Sequence, residues 1–206
     1  MGCDDPGCSV DESPGHELVM SAYTIDVYEV TSAFYAECVA EGACGAARTD
    51  SAPDEPVLGV TVEDARAFCE WRGMALPTEA QWERAARGDE GAVYPWGDAA
   101  PTCDHVSSLR CDGKILPVGS RPAGISPFGL LDMAGNAWEW VSDFYSFDYY
   151  LETPAADPDG PPDGYLRVVR GVTAWRDDST LRSSDRAATA ASANSALAGF
   201  RCVGEP

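Results

Sequence analysis

Basic side chains are scarce in this sequence of 206 residues: one lysine, Lys114, thirteen arginines and two histidines, His16 and His105, stand against 34 aspartates and glutamates. The formal charge of −20 and a pI near 4.2 repel phosphates at long range, which excludes nucleic acid and favours cations as guests. Long apolar runs are missing as well, so the sequence offers no membrane span. No C-x₂-C pair occurs and neither histidine stands at ligand spacing from another, which argues against zinc. There is no G-x-S-x-G elbow, and no histidine accompanies Ser183, Ser184 and Asp185, which read as a solvated turn and not as a nucleophile.

What is present is apolar and aromatic. Hydrophobic residues make up 45% of the chain, with six tryptophans and eight tyrosines, too many for a disordered acidic polymer. The length suits a single domain spanning 1–206. Eight cysteines, an even number, predict disulfides and an extracytoplasmic location, secreted, periplasmic or surface-attached. The opening "MGCDDPGCSVDESPGHELVM" is acidic where an export signal would be basic and then apolar. The two observations are reconciled if the true start lies upstream.

Three short helices are signalled by their caps. Thr31 precedes a face of Phe34, Tyr35, Cys38 and Val39 that Gly42 ends; Thr61 with Asp64 precedes Ala65, Phe68 and Cys69, ended by Gly73; Thr78 with Gln81 precedes Trp82, Ala85 and Ala86, ended by Gly88. Short strands are expected in residues 22–30, 166–171 and 199–203. Residues 88–130 have almost no periodicity and must be pinned by disulfides or ions, and 152–164 reads as a solvated loop.

Two stretches carry chemistry. In "SPFGLLDMAGNAWEWVSDFY" (126–145), Gly135 and Asn136 suit a turn with positive φ that gathers Asn136, Glu139 and backbone carbonyls, a hard-oxygen set of the kind calcium takes; a buried turn packed by tryptophans is the plainer alternative. If the run is extended, the expectation is that Trp138 and Trp140 divide between the core and a groove. In "RGVTAWRDDSTLRSSDR" (170–186), Arg170, Arg182 and Arg186 read as loop ties, with an anion pocket as the sharper alternative. Asp177 and Asp178 balance Arg176 and Arg182 better than they serve acid–base chemistry.

With "IDVYEVTSAFYAECV", "FCEWRGMALPTEAQWERAARG", "YPWGD", "LPVGSRPAGISPFGLLDMAGNAWEW" and "RVVRG…LRSSDR…GFRCV" in this order, the chain resembles the formylglycine-generating enzyme, or sulfatase-modifying factor, domain family. The initial "MG" resembles the end of that family's first strand motif, so the strand itself would precede Met1. The resemblance implies an irregular, loop-rich α+β domain similar to a C-type lectin fold, stabilised by structural calcium and disulfides. It maps calcium onto Ala134, Gly135, Asn136, Ala137 and Glu139, and a second, less regular site onto Asp104 after "YPWGD". It also implies a Cys69–Cys202 disulfide; short spacing then favours Cys3–Cys8, Cys38–Cys44 and Cys103–Cys111 among the 105 connectivities that eight cysteines allow.

The family's enzyme oxidises a sulfatase cysteine with copper held by two thiolates that follow an "RGGS" strand. Here "GGS" is altered to "GVTA", and Trp175 to Leu181 contains no cysteine, although soft thiolates are what hold Cu(I). A related branch uses iron held by three histidines, for which His16 and His105 do not suffice. The expectation is therefore a non-catalytic domain without copper that binds a peptide, protein or glycan partner through Trp140, Trp175, Arg176, Asp177, Asp178 and Arg182. A formylglycine-generating or related metal-dependent oxidase with an atypical site is the alternative.

Overall fold

A computed structural model of the protein describes residues 1–176, 178–190 and 196–206. Three helices form where the caps place them: α1 (Ser32–Ala40), α2 (Val62–Trp71) and α3 (Glu79–Arg87). Thr31 accepts from the Phe34 amide, and Thr61 and Thr78 each close a reciprocal capping box, with Asp64 and with Gln81. Such caps satisfy amides that a helix start leaves unpaired and contribute about 1 kcal/mol each. Gly88 ends α3 at φ 72°, and a side chain there would meet Pro127 at 2.8 Å, so both backbone and space demand glycine.

The helices pack on a four-stranded sheet of order β4-β3-β2-β5. Its centre is β2 (Trp138–Phe144), antiparallel to β3 (Leu166–Arg170), which pairs with β4 (Ala187–Ala190); β5 (Ala198–Gly199) runs parallel to β2. A two-stranded ribbon joins β1 (Thr24–Ile25) to β6 (Val203–Gly204). The main core gathers Tyr35, Phe68, Trp140 and Phe200, and a second cluster sets Trp82 of α3 against Leu130, Met133, Val141 and Val168. Burying each large aromatic or aliphatic side chain stabilises by roughly 1.5–3 kcal/mol. The architecture is an irregular α+β fold in which loops outweigh regular elements.

Two expected strands are shorter than their patterns. Of residues 22–30 only Thr24 and Ile25 form a ladder; the Asp26 and Val30 amides still donate to the Cys202 and Phe200 carbonyls, but the Cys202 amide is taken by the Asp26 carboxylate, which also pairs with Arg72. Residues 199–203 divide between β5 and β6 because Arg201 between them is buried, holding Glu139 and the carbonyls of Asp26, Val27 and Leu131.

Disulfides join Cys3 to Cys8, Cys38 to Cys44, Cys69 to Cys202 and Cys103 to Cys111, leaving no free cysteine. Cys69–Cys202 ties α2 to the C-terminal strand across 133 residues. Among the described residues no helix is long and apolar enough to cross a membrane.

Candidate functional site

The arginine-rich stretch leaves β3 and divides at once into a buried and an exposed part. Arg170, fully buried, donates to Glu79 at 3.0 Å, to Glu83 at 2.8 Å and to the carbonyls of Ser183 and Ser184. Arg186 grips Glu79 through two bonds of 2.8 and 2.7 Å and lies over the Tyr150 ring. Arg182 donates to Glu12 and to the Gly7 carbonyl, fastening the N-terminal segment. Its guanidinium is spent on this tie, which removes Arg182 from the binding face where the sequence reading put it.

Between these anchors the chain crosses the surface. Gly135 donates to the Gly171 carbonyl at 2.7 Å and Ala174 to the Asn136 carbonyl at 2.9 Å, so the 134–137 turn and the 171–174 segment are laced together. Val172 has φ 59°, a conformation that costs a β-branched residue roughly 1–3 kcal/mol; contacts with Val106, Ala134 and Leu181 hold it there. Beyond it Trp175 is 40% exposed, and the Arg176 guanidinium lies 5.6 Å from the centre of the Trp138 ring. Asp178 accepts from Ser108 at 2.8 Å and forms an ion pair with Arg110 at 2.6 Å, while Leu109, exposed, donates its amide to the Arg176 carbonyl. Asp177 lies outside the described residues.

Trp140 is not part of this face. It is 0% exposed, in the main core, with its indole donating to the Val60 carbonyl. The two tryptophans do not face opposite ways as expected: residues two apart on a strand share a face, and both lie against the main core, with Trp138 the half-buried one that meets Arg176 at its edge. The resulting surface joins aromatic and aliphatic area to paired charges and carries no thiolate and no histidine among its described residues.

Behind it lies the turn Ala134, Gly135, Asn136, Ala137, all buried, with Asn136 at φ 60° and Gly135 at φ 79°. A side chain on Gly135 would meet the Ser107 carbonyl at 2.3 Å. Glu139 is fully buried, and its oxygens are taken by Arg201, at 2.7 Å to each, and by the Trp82 indole at 2.8 Å. Asn136 donates to Glu29 and accepts from the Leu116 amide. Two carboxylates escaped the sequence reading: Glu29, hidden in a strand-like run, and Asp132, both buried beside this turn. Burial, with the neighbouring Asp132 and Glu139 charges, pushes the Glu29 carboxyl well above its ordinary range; burial also raises Asp132. Asp104 stands exposed in a turn and belongs to no group of three His, Cys, Asp or Glu donors among the described residues.

The model of the sulfatase-modifying factor enzyme 1-like domain family matches residues 1–206. The chain belongs to this family. It is 40% identical over 172 residues to the formylglycine-generating enzyme of Streptomyces coelicolor, covering 74% of this chain and 54% of the relative. To the serine/threonine-protein kinase Pkn1 of Chlamydia trachomatis it is 33% identical, covering 94% of this chain and 35% of the relative. A hercynine oxygenase of Mycolicibacterium thermoresistibile is 40% identical over 133 residues, 59% of this chain and 30% of that one. The chain thus spans about half the length, or less, of these three relatives. Among solved structures, PvdO from Pseudomonas aeruginosa superposes with a TM-score of 0.86 at 25% identity, covering 98% of this chain and 88% of that one. Treponema denticola variable protein 1 shares the fold, with a TM-score of 0.75 at 21% identity over 92% and 86%.

Proposed function

We propose that this domain is an extracytoplasmic recognition module: it keeps the sulfatase-modifying factor scaffold and binds a peptide, protein or glycan partner without oxidising it. One observation carries the reading. All eight cysteines are in disulfides, and none lies in the exposed segment that follows β3, where the family's copper thiolates would stand. Without two thiolates nothing there has the softness to hold Cu(I). What remains, Trp175, Trp138, Leu109 and the Arg110–Asp178 pair, suits a ligand that offers a flat apolar face with polar edges. Counting free thiols on the denatured, unreduced protein tests this: zero is expected, and two per chain would restore the oxidase reading.

Structural calcium accompanies this proposal. Glu29, Asp132 and Glu139 are three buried carboxylates beside one guanidinium, that of Arg201, an excess of negative charge that a hard cation would relieve. Glu29, Asp132 and the 134–137 carbonyls would hold it, with Asn136 orienting Glu29; Glu139, committed to Arg201 and Trp82, orients the turn from behind. A bound ion would neutralise the two carboxylates and fix the turn to which the 171–174 segment is laced.

A further inference from the structure

We propose that the Cys103–Cys111 disulfide is a thiol–disulfide exchange site, opened by a dithiol reductant, and that its opening releases Asp178 and loosens the face around Trp175, Arg176 and Asp178. The consequence for binding rests on the recognition reading above; the chemistry of the disulfide does not.

Accessibility separates this disulfide from the other three. Cys38, Cys69 and Cys202 are fully buried, so two of the bridges are shielded from an attacking thiolate. Cys3 and Cys8 are half-buried, and the Glu12 carboxylate lies within 4.8 Å of both sulfurs, with exposed Asp4 and Asp5 beside them; an anionic thiolate is repelled there. Cys103 is exposed, with the single carboxylate of Asp104 beside it, and Arg110, the neighbour of Cys111, balances Asp178, so fewer negative charges repel a thiolate here than at Cys3–Cys8. Asp112, on the other side of Cys111, is held by Arg121.

The exchange is a two-electron step. A reductant thiolate attacks the Cys103 sulfur, the S–S bond breaks, and Cys111 leaves as a thiolate; the reductant's second thiol then releases Cys103 and the reductant departs as its own disulfide. Cys111 is suited to leave, because the Ser108 hydroxyl lies 3.6 Å from its sulfur. That hydroxyl has one proton, now directed to Asp178 at 2.8 Å. A thiolate at Cys111 draws the proton to itself, and Asp178 loses that donor. The 103–111 loop also supplies the Leu109 amide to the Arg176 carbonyl and Arg110 to Asp178, so its three ties to the binding face loosen together.

The test is a dithiothreitol titration of the full chain, read by alkylation and peptide mass spectrometry, with amide hydrogen exchange on the same samples. Cys103 and Cys111 should be labelled before any other cysteine. The Leu109 amide and segment 176–181, Asp177 aside, should then exchange about tenfold faster, with the α2 and β3 amides unchanged. The Cys103→Ser/Cys111→Ser double variant should show the same exchange pattern without reductant. In Ser108→Ala part of the increase should already be present in the oxidised protein, and reduction should add less than in the parent. Earlier labelling of Cys3 and Cys8, unchanged exchange at 108–110 and 176–181, or loss of the α2 and β3 protection in both the reduced protein and the double variant would each overturn the proposal. None of these readouts uses a binding partner, so a face that opens as described yet binds nothing would count against the recognition reading alone.

Discussion

Residues 170–186 contain two regions that composition alone makes alike and the fold makes opposite. At the ends, Arg170, Arg182 and Arg186 are drawn inward onto Glu79, Glu83 and Glu12, and every charge there has an ordered partner. In the middle, Trp175 and Arg176 face solvent, and Arg176 and Asp178 are held to the body by a few bonds from Ser108, Leu109 and Arg110. Dense charge in a sequence therefore marks two things at once, a clamp and a surface; which is which depends on the carboxylates that α3 and the N-terminal segment bring from 87 to 170 residues away. The clamp fixes where the surface begins and ends.

The comparison breaks most sharply at the clamp. Glu79→Ala removes the shared partner of Arg170 and Arg186 and leaves two buried guanidinium groups without it; unfolding in urea should show a loss of about 3–5 kcal/mol. Removing the Cys69–Cys202 bridge by a double alanine substitution should cost about 2–5 kcal/mol, since it closes the longest loop of the four. Calcium chelation should lower the melting temperature by a few degrees, and Glu29→Gln should lessen that response; an unchanged melting curve on chelation would remove the ion from the account. At the surface, Trp175→Ala should leave stability within about 0.5 kcal/mol of the parent and weaken partner binding, once a partner is in hand.

Acidity sharpens the same contrast, because the clamp contains carboxyls shifted in both directions. Asp143 accepts from the Glu79 amide, and burial raises it to about 7. It takes up a proton on folding, so the folded state loses stability as pH rises from the ordinary carboxylate range toward 7. Glu83, although buried, is brought below its ordinary range by Arg170; its contribution is present above the unfolded value and is lost as pH falls through the folded one. The melting temperature should therefore fall from about pH 5 to 8, and Asp143→Asn should flatten part of that decline while Ser108→Ala leaves it untouched.

Much of the fold was legible because local rules decide it. Thr31, Thr61 and Thr78 mark helix starts by chemistry that needs no tertiary partner, and the three alanine, phenylalanine and cysteine positions of α2 lie inward as their spacing predicts. Strands were less legible. β4 is a run of alanine and threonine with no periodic signal of its own; it exists because β3 offers an edge. Trp138 and Trp140 were expected on opposite sides, but residues two apart on a strand share a face, and both pack against the main core, Trp140 inside it and Trp138 at its edge. Arg182 was assigned both to a tie and to the face, and only the position of Glu12, 170 residues away, decides between them. Glu29 and Asp132 were missed for the same reason: nothing near them in the chain announces that they meet Glu139 in the interior.

The claim at the centre is that the face after β3 recognises and does not oxidise. It is tested most directly by incubating the protein with a cysteine peptide from a sulfatase, Cu(I) and oxygen, and assaying for aldehyde. No aldehyde above the protein-free control is predicted; aldehyde formation that depends on the protein and ceases on its denaturation would contradict the account.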